Sequence, residues 1–185
     1  MPLLMLKDLP RYEALLQASR EFPDLDPSAT EVFLHLLRTG DEAFRVVGAH
    51  LSQHDLTQGG FSVLVALWGN CRRCGRGESL SPAALAERTG VTRATMTGLV
   101  DTLARAELVT RAHCAKDRRM MAVELTSRGE KLMDRIMPGH FRQMAWLMAP
   151  LTESERKTFV RLLTKVLRRA GEQETDAALA VSAAI

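Results

Sequence analysis

Aromatic side chains are scarce in this chain, at 5% of 185 residues, and beyond the phenylalanines only Tyr12, Trp68 and Trp146 occur. The core must therefore be aliphatic and rich in methionine, which suits helices packed on helices. Cysteine is rarer still. Cys71, Cys74 and Cys114 are too few for the disulfide framework of a small secreted domain. Charge of one sign is not in excess, because 25 basic residues face 22 acidic ones for a net +3. That balance, with a pI near 9.0, does not by itself argue for a polyanionic partner, so the distribution of charge has to carry the argument. Long apolar runs are missing as well. No uncharged stretch approaches the length of a membrane span. The opening Met1-Pro2-Leu3-Leu4-Met5-Leu6 stops at Lys7-Asp8, too short for a signal peptide's apolar region and without its basic leader. A cytoplasmic location with no membrane partner is expected. Nor is there a serine-histidine-acid set, a phosphate-cradling glycine loop or a recognisable carboxylate pair, so neither catalysis nor a required cofactor is expected.

What is present is a hydrophobic share of 46%, enough for an extended core, on a chain long enough for one compact domain. Helical periodicity divides most of it. A short helix is expected over residues 10–22, ended by Pro23. A second starts after Asp26 or Ser28, and Ser28 with Glu31 has capping-box spacing. Phe33, Leu36, Leu37, Phe44, Val47 and Leu51 then recur on one helical face to about residue 54. Thr57 opens a more uniformly apolar helix through Phe61, Leu64 and Leu67, expected to end near Gly69 and to lie centrally. Residues 70–79 read as a polar loop. Ser81-Pro82 restarts a helix with serine as N-cap and proline in the first turn, and Thr92 caps the next by accepting from the amide of Ala94 or Thr95.

The convincing β signal comes next, with Leu108-Val109-Thr110-Arg111 leading in and Met121-Ala122-Val123-Glu124-Leu125 leading out. A long helix follows Thr126, with a kink expected at Pro138-Gly139 and a stop at Pro150. Thr152 and Glu155 form another capping box before a final amphipathic helix. The alanine-rich end beyond Gly171 is expected to fray. The fold class expected is mainly α with a small β-hairpin wing. Its parts are an N-terminal extension over 1–27, dimerisation helices over 28–56 and 128–172, a winged helix-turn-helix over 57–127 and a flexible tail over 173–185.

Helix, turn, helix and hairpin in that order suit DNA. A major groove about 12 Å wide accepts one helix, whose first residues reach base edges. The helix from Thr92 presents Thr92, Arg93, Thr95 and Thr97 there. Ser81 starts the preceding helix, whose first-turn amides would approach a phosphate. At the hairpin tip, Lys116-Asp117-Arg118-Arg119 is dense in charge. A narrow minor groove attracts an inserted arginine, and Asp117 has the spacing to hold Arg119 in place by a paired contact. Arg111, Lys116 and Arg118 would supply phosphate contacts.

These residues resemble the MarR family of winged-helix repressors. The likeness is carried by Leu80-Ser81-Pro82-Ala83-Ala84-Leu85-Ala86, by Gly90-Val91-Thr92-Arg93-Ala94-Thr95-Met96-Thr97, and by Leu99-Val100 with Leu103. Leu108-Val109, Asp117-Arg118-Arg119 and Leu125-Thr126-Ser127-Arg128-Gly129 complete it. The resemblance implies a homodimer whose first and last helices interlock, on a pseudo-palindromic double-stranded operator. It also implies an aromatic or phenolic effector where the dimerisation and DNA-binding parts meet. The family's minor-groove arginine and its orienting acid fall on Arg119 and Asp117. Phe44, Val47, His50, His54 and Trp68 are the expected effector-pocket wall. The extra N-terminal helix resembles the urate-responsive branch, although no tryptophan precedes Trp68, whereas that branch places one in its early helices.

Three other features remain. Cys71-x-x-Cys74 lies among Arg72, Arg73 and Arg76, which would lower a thiol pKa and favour oxidation. A zinc site needs four ligands, and no second pair follows at finger spacing. A thiol-based redox or metal sensor on the same DNA-binding fold is one alternative, and a winged-helix protein-interaction module another. Met133, Met137, Met144 and Met148 read as core or dimer interface. His50 and His54, one helical turn apart, read as a polar face rather than a metal site.

Overall fold

All helices here but the first begin where a polar side chain can serve the unpaired amides of a first turn. The computed structural model describes residues 8–74, 79–113 and 121–183. Seven helices and one hairpin follow in the order α1 (Tyr12–Glu21), α2 (Pro27–Ser52), α3 (Gln58–Cys74), α4 (Pro82–Thr89), α5 (Arg93–Arg105), β1 (Val109–His113), β2 (Met121–Leu125), α6 (Ser127–Leu147) and α7 (Glu153–Ala183). The mainly α fold with a two-stranded wing is as expected from the sequence.

Six starts are capped by side chains, that of α6 by Thr126. Asp26 Oδ1 accepts from the amides of Ser28 and Ala29 at 2.9 and 3.0 Å. The cap of α2 is therefore Asp26 with Pro27 in the first turn, and the Ser28–Glu31 box does not form because Ser28 already sits inside the helix. Thr57 Oγ1 accepts from Gly60 N at 3.1 Å, ahead of α3. Ser81 and Thr92 cap α4 and α5. The Thr152–Glu155 box is reciprocal: Thr152 N donates to Glu155 Oε2 at 2.7 Å and Glu155 N donates back to Thr152 Oγ1 at 3.3 Å.

Two helices outrun their expected ends. α3 continues past Gly69 to Cys74, so residues 70–74 are helical rather than loop. Asn70, buried at 4% exposure, accepts from Arg88 Nη1 of α4 at 3.3 Å, which gives that extra turn a tertiary anchor. α7 runs through Gly171 to Ala183, where fraying was expected. Its end is rich in alanine and glutamate, which favour helix even without an apolar stripe. α6 is continuous through Pro138.

The protein forms two compact units, residues 1–143 and 144–185. In the first, α3 is the central element and packs on α2, α4, α5 and β2. Val63, Leu64 and Leu67 of α3 are joined in the core by Leu51, Leu85, Met96, Val100, Val123, Met133 and Ile136. α1 packs on α2. β1 and β2 pair antiparallel with Val109 opposite Leu125 and His113 opposite Met121. Of the four methionines expected in core or interface, Met133 and Met137 are buried in the first unit, while Met144 is exposed. The second unit carries a row of exposed apolar residues on α7: Phe159, Val160, Leu162, Val166 and Leu167.

Candidate nucleic-acid interface

Ser81 sets the start of α4. Its Oγ accepts from Ala84 N at 3.1 Å, and Pro82 occupies a first-turn position that needs no amide. The helix stops at Gly90, whose φ of +68° is left-handed and available to glycine without a Cβ penalty. Val91 N then donates to Ala86 O at 3.1 Å, folding the turn back so that α5 can start at once. Thr92 Oγ1 accepts from Thr95 N at 3.1 Å and lies 2.9 Å from Thr95 Oγ1. Met96, Val100 and Leu103 pin the opposite face of α5 in the core. That fixes Thr92, Arg93, Thr95 and Thr97 outward, and all four are exposed.

The hydroxyls are less free than the sequence suggests. Thr97 Oγ1 donates to Arg93 O at 3.0 Å, so what Thr97 offers outward is a lone pair and a methyl group. One of the Thr92 and Thr95 hydroxyls donates to the other, which occupies one of their two protons. The Arg93 side chain makes no ion pair or hydrogen bond among the described residues, and its guanidinium is available for a forked contact. Ser81, Thr92 and Arg93 line one open depression between α4 and α5.

The wing is anchored to this helix. Arg111 of β1 pairs through Nη2 with Asp101 Oδ1 of α5. Arg111, expected on phosphate, is here committed to a carboxylate, although both side chains stay more than a third exposed. The tip residues Lys116, Asp117, Arg118 and Arg119, and Cys114 with them, lie outside the described residues. At the wing's base Thr126 Oγ1 donates to Glu107 O at 2.6 Å and accepts from Gly129 N at 3.0 Å. Thr126 N donates to Leu108 O at 3.1 Å. Gly129 lies so close to that carbonyl that a Cβ there would sit 2.1 Å from Leu108 O.

The five expected effector-wall residues differ in burial and surroundings. Phe44 is 66% exposed, Val47 packs against the core and His50 is buried. Trp68 is partly buried and donates from Nε1 to Asp134 Oδ1 at 3.4 Å. Of the five, His54 alone lines a separate cleft beside the start of α6. The structure joins His50 to His54, one turn on, and to His140 of α6, which the sequence did not single out. The His50 ring centroid lies 5.3 Å from that of His54 and 6.4 Å from that of His140, and His140 meets Phe61 edge-on at 4.9 Å. Gly139 makes room for this approach, since a Cβ there would fall 2.8 Å from His50 Cε1. Burial, and then the neighbouring His50, lower the proton affinity of both His54 and His140, with Arg135 a further cause at His54. Among the described residues, His50 Nε2, His140 Nδ1 and Gln143 Oε1 are buried without a partner. The sequence signals for this cluster were the one-turn spacing of His50 and His54 and, for His140, the neighbouring Gly139. Cys71 and Cys74 fall in the last turn of α3 rather than in a loop, and their side chains lie outside the described residues. No group of three metal-ligating side chains occurs among the described residues, and no described helix is long and apolar enough to cross a membrane.

Comparison with known proteins agrees with this geometry. A model of the MarR family matches residues 73–120. The chain is 32% identical over 164 residues to the HTH-type transcriptional repressor YetL of Bacillus subtilis, across 89% of this chain and 95% of that protein. Its fold resembles that of MepR of Staphylococcus aureus solved in complex with DNA, with a TM-score of 0.66 and 25% identity over 74% of this chain and 97% of the other. It also resembles BpsR of Bordetella bronchiseptica, whose DNA binding is regulated by 6-hydroxynicotinic acid, with a TM-score of 0.60 and 28% identity over 71% and 90% of the two chains. With its capped reading helix and hairpin wing, the chain belongs to the MarR family and is a winged helix-turn-helix, DNA-binding transcriptional regulator.

Proposed function

We propose that this regulator acts as a homodimer on a pseudo-palindromic operator, as a repressor whose grip is released by a small-molecule effector. The observation that carries the reading is α5: capped by Thr92, pinned by Met96 and Val100, with Arg93 unpaired at its exposed start. In this reading Arg93 forks onto a base, Thr92, Thr95 and Thr97 touch phosphate or a thymine methyl, and the amides behind Ser81 receive a phosphate. Asp117 orients Arg119 into the minor groove, and Lys116 and Arg118 touch the backbone. Arg111 serves by holding the wing on Asp101.

Dimerisation is supported by the apolar side chains that each unit leaves exposed: Phe33 and Phe44 on α2, and Val160, Leu162, Val166 and Leu167 on α7. A dimer presents two reading helices about 34 Å apart, one helical turn of DNA. Effector control is supported by the likeness to BpsR and by the buried unpaired nitrogens of His50 and His140, which a polar aromatic ligand could satisfy. Such a ligand acts by favouring a head spacing unlike the operator's. The role is regulatory rather than enzymatic.

Selection of bound sequences from a random duplex pool, with and without reductant, tests the reading. A palindromic consensus is expected, bound with a steep salt dependence. Arg93→Ala should weaken that binding by about 1–3 kcal/mol and relax preference at one base position. Recovery of no consensus, or unchanged affinity in Arg93→Ala, overturns the assignment of α5.

A further inference from the structure

Gly98 sits in the middle of α5 with no reason inside the chain to be glycine. Its backbone is not left-handed, unlike that of Gly90. An added Cβ would meet nothing within 4 Å, whereas one at Gly129 or Gly139 would strike Leu108 O or the His50 ring. A glycine in a helix interior costs stability relative to alanine. Gly98 is exposed, on the side of α5 away from the buried Met96, Val100 and Leu103. Gly98, Asp101 and Arg105 follow at steps of three and four, so they share this outward face.

The bare backbone at Gly98 is also prepared for an anion. An open carbonyl oxygen repels phosphate, but here Thr102 Oγ1 donates to Gly98 O at 2.9 Å. Arg105 Nη2 donates in turn to Thr102 Oγ1 at 3.2 Å. Hydrogen bonds in such a chain polarise one another, and the guanidinium is drawn back along the helix toward Gly98. Arg105 makes no ion pair among the described residues. Asp101, the acid on this face, is already paired with Arg111, so the face keeps an excess of positive charge.

We propose that one sugar–phosphate strand bordering the major groove crosses α5 at Gly98, which admits it by having no side chain, and that Arg105 holds its phosphate. The inference rests on the reading of α5 as the groove helix and adds two residues to it. From Thr92 to Gly98 the helix axis rises by roughly 9 Å. The groove is about 12 Å wide, so a helix whose first turn reaches base edges meets the bordering strand within its next two turns. Such a contact carries no base preference of its own, but it sets how deep the helix sits. A side chain at position 98 would hold Arg93 and the threonines off the bases they read.

Fluorescence-anisotropy titration of the full chain against the duplex enriched from the random pool, over about 0.05–0.3 M NaCl, tests the proposal. Gly98→Leu should raise the melting temperature. It should also weaken binding at least about tenfold, because lifting the helix loses at least one base contact. Gly98→Ala, which adds one carbon, should do both to a smaller extent. A purely structural glycine would move stability and binding in the same direction, so the opposite signs are the signature. Arg105→Gln should flatten the dependence of log Kd on log salt by about 2, one phosphate for each subunit of a dimer. Arg20→Gln on α1 should leave that slope unchanged. Unchanged affinity in Gly98→Leu, or an unchanged slope in Arg105→Gln, overturns the proposal. Arg93→Ala separates the two levels of the argument. If it weakens binding while Gly98→Leu does not, this inference alone falls; if neither weakens it, the reading of α5 falls as well. Should Gly98→Leu fold poorly, Gly98→Ala and Arg105→Gln decide the matter on the same two readouts.

Discussion

Replacing Gly129 by alanine should unfold this protein more easily, even though alanine is the better helix former. The added Cβ would stand 2.1 Å from Leu108 O, whereas a carbon–oxygen contact relaxes at about 3.3 Å. The start of α6 must then retreat from the base of β1 by about 1.2 Å, and it meets backbone, which cannot rotate away. Overpacking of this kind costs about 1–3 kcal/mol. The same carbonyl accepts from Thr126 N at 3.1 Å, and disturbing that bond adds about 1 kcal/mol. Helix propensity returns about 1 kcal/mol. The net loss is about 1–3 kcal/mol, or roughly 2–12 °C in melting temperature for a chain of this size. Gly98→Ala is the internal control. It lies on exposed α5 with nothing within 4 Å of an added Cβ, so it should gain about 0.5–1 kcal/mol. Urea unfolding followed by circular dichroism, at one fixed protein concentration because dimerisation contributes, gives both numbers. A Gly129→Ala chain as stable as the parent would refute the close approach of α6 to Leu108.

Two further outcomes are expected. Asp101→Asn and Arg111→Gln should each weaken operator binding while changing stability by less than about 1 kcal/mol, as suits a pair this exposed. If Asp101→Asn instead tightens binding and Arg111→Gln alone flattens its salt dependence, Arg111 is a phosphate contact after all. Acid should destabilise the fold through His54 and His140, whose folded-state affinities for a proton lie below the ordinary value near 6.5. The unfolded chain then binds protons that the folded one refuses, so stability is full above about pH 6.5 and falls as pH drops through the folded values. Melting temperature measured from pH 7.5 to 5 should fall, and His54→Gln/His140→Gln should flatten the fall; an unaltered slope would count against it.

Helix starts were legible because a cap is a local bargain among neighbouring residues. Ser81, Thr92 and the Thr152–Glu155 box all form as their spacing predicts. The competition between Asp26 and Ser28 was not decidable locally, since either could cap; Pro27 favours Asp26 by taking the first-turn position. The end of α3 was hidden for a different reason. Gly69-Asn70-Cys71-Arg72 carries little apolar period, and the anchor for that turn, Arg88, lies 18 residues away in sequence. The surroundings of the expected effector wall were hidden likewise, because Phe44 and His50 share a helix but not an environment. One partner of His50, His140, comes from another helix. Leu125-Thr126-Ser127-Arg128-Gly129 was recognisable as a motif, and the geometry supplies its physics. Threonine ties strand to turn and caps α6, and glycine lets the helix touch a carbonyl.

Leu80, just ahead of α4, exchanges two backbone hydrogen bonds with Val123, at 3.3 and 2.8 Å. β2 is thereby paired on both sides at its centre, and an incoming strand cannot align along its outer edge without breaking that bridge. The sheet's open edge is left on β1, where Arg111 introduces charge. Open strand edges are where chains recruit one another into aggregates, and charge discourages it. The short bridge before α4 thus gives the wing a protected side, leaving it able to project toward a polyanion without becoming a template for its own kind.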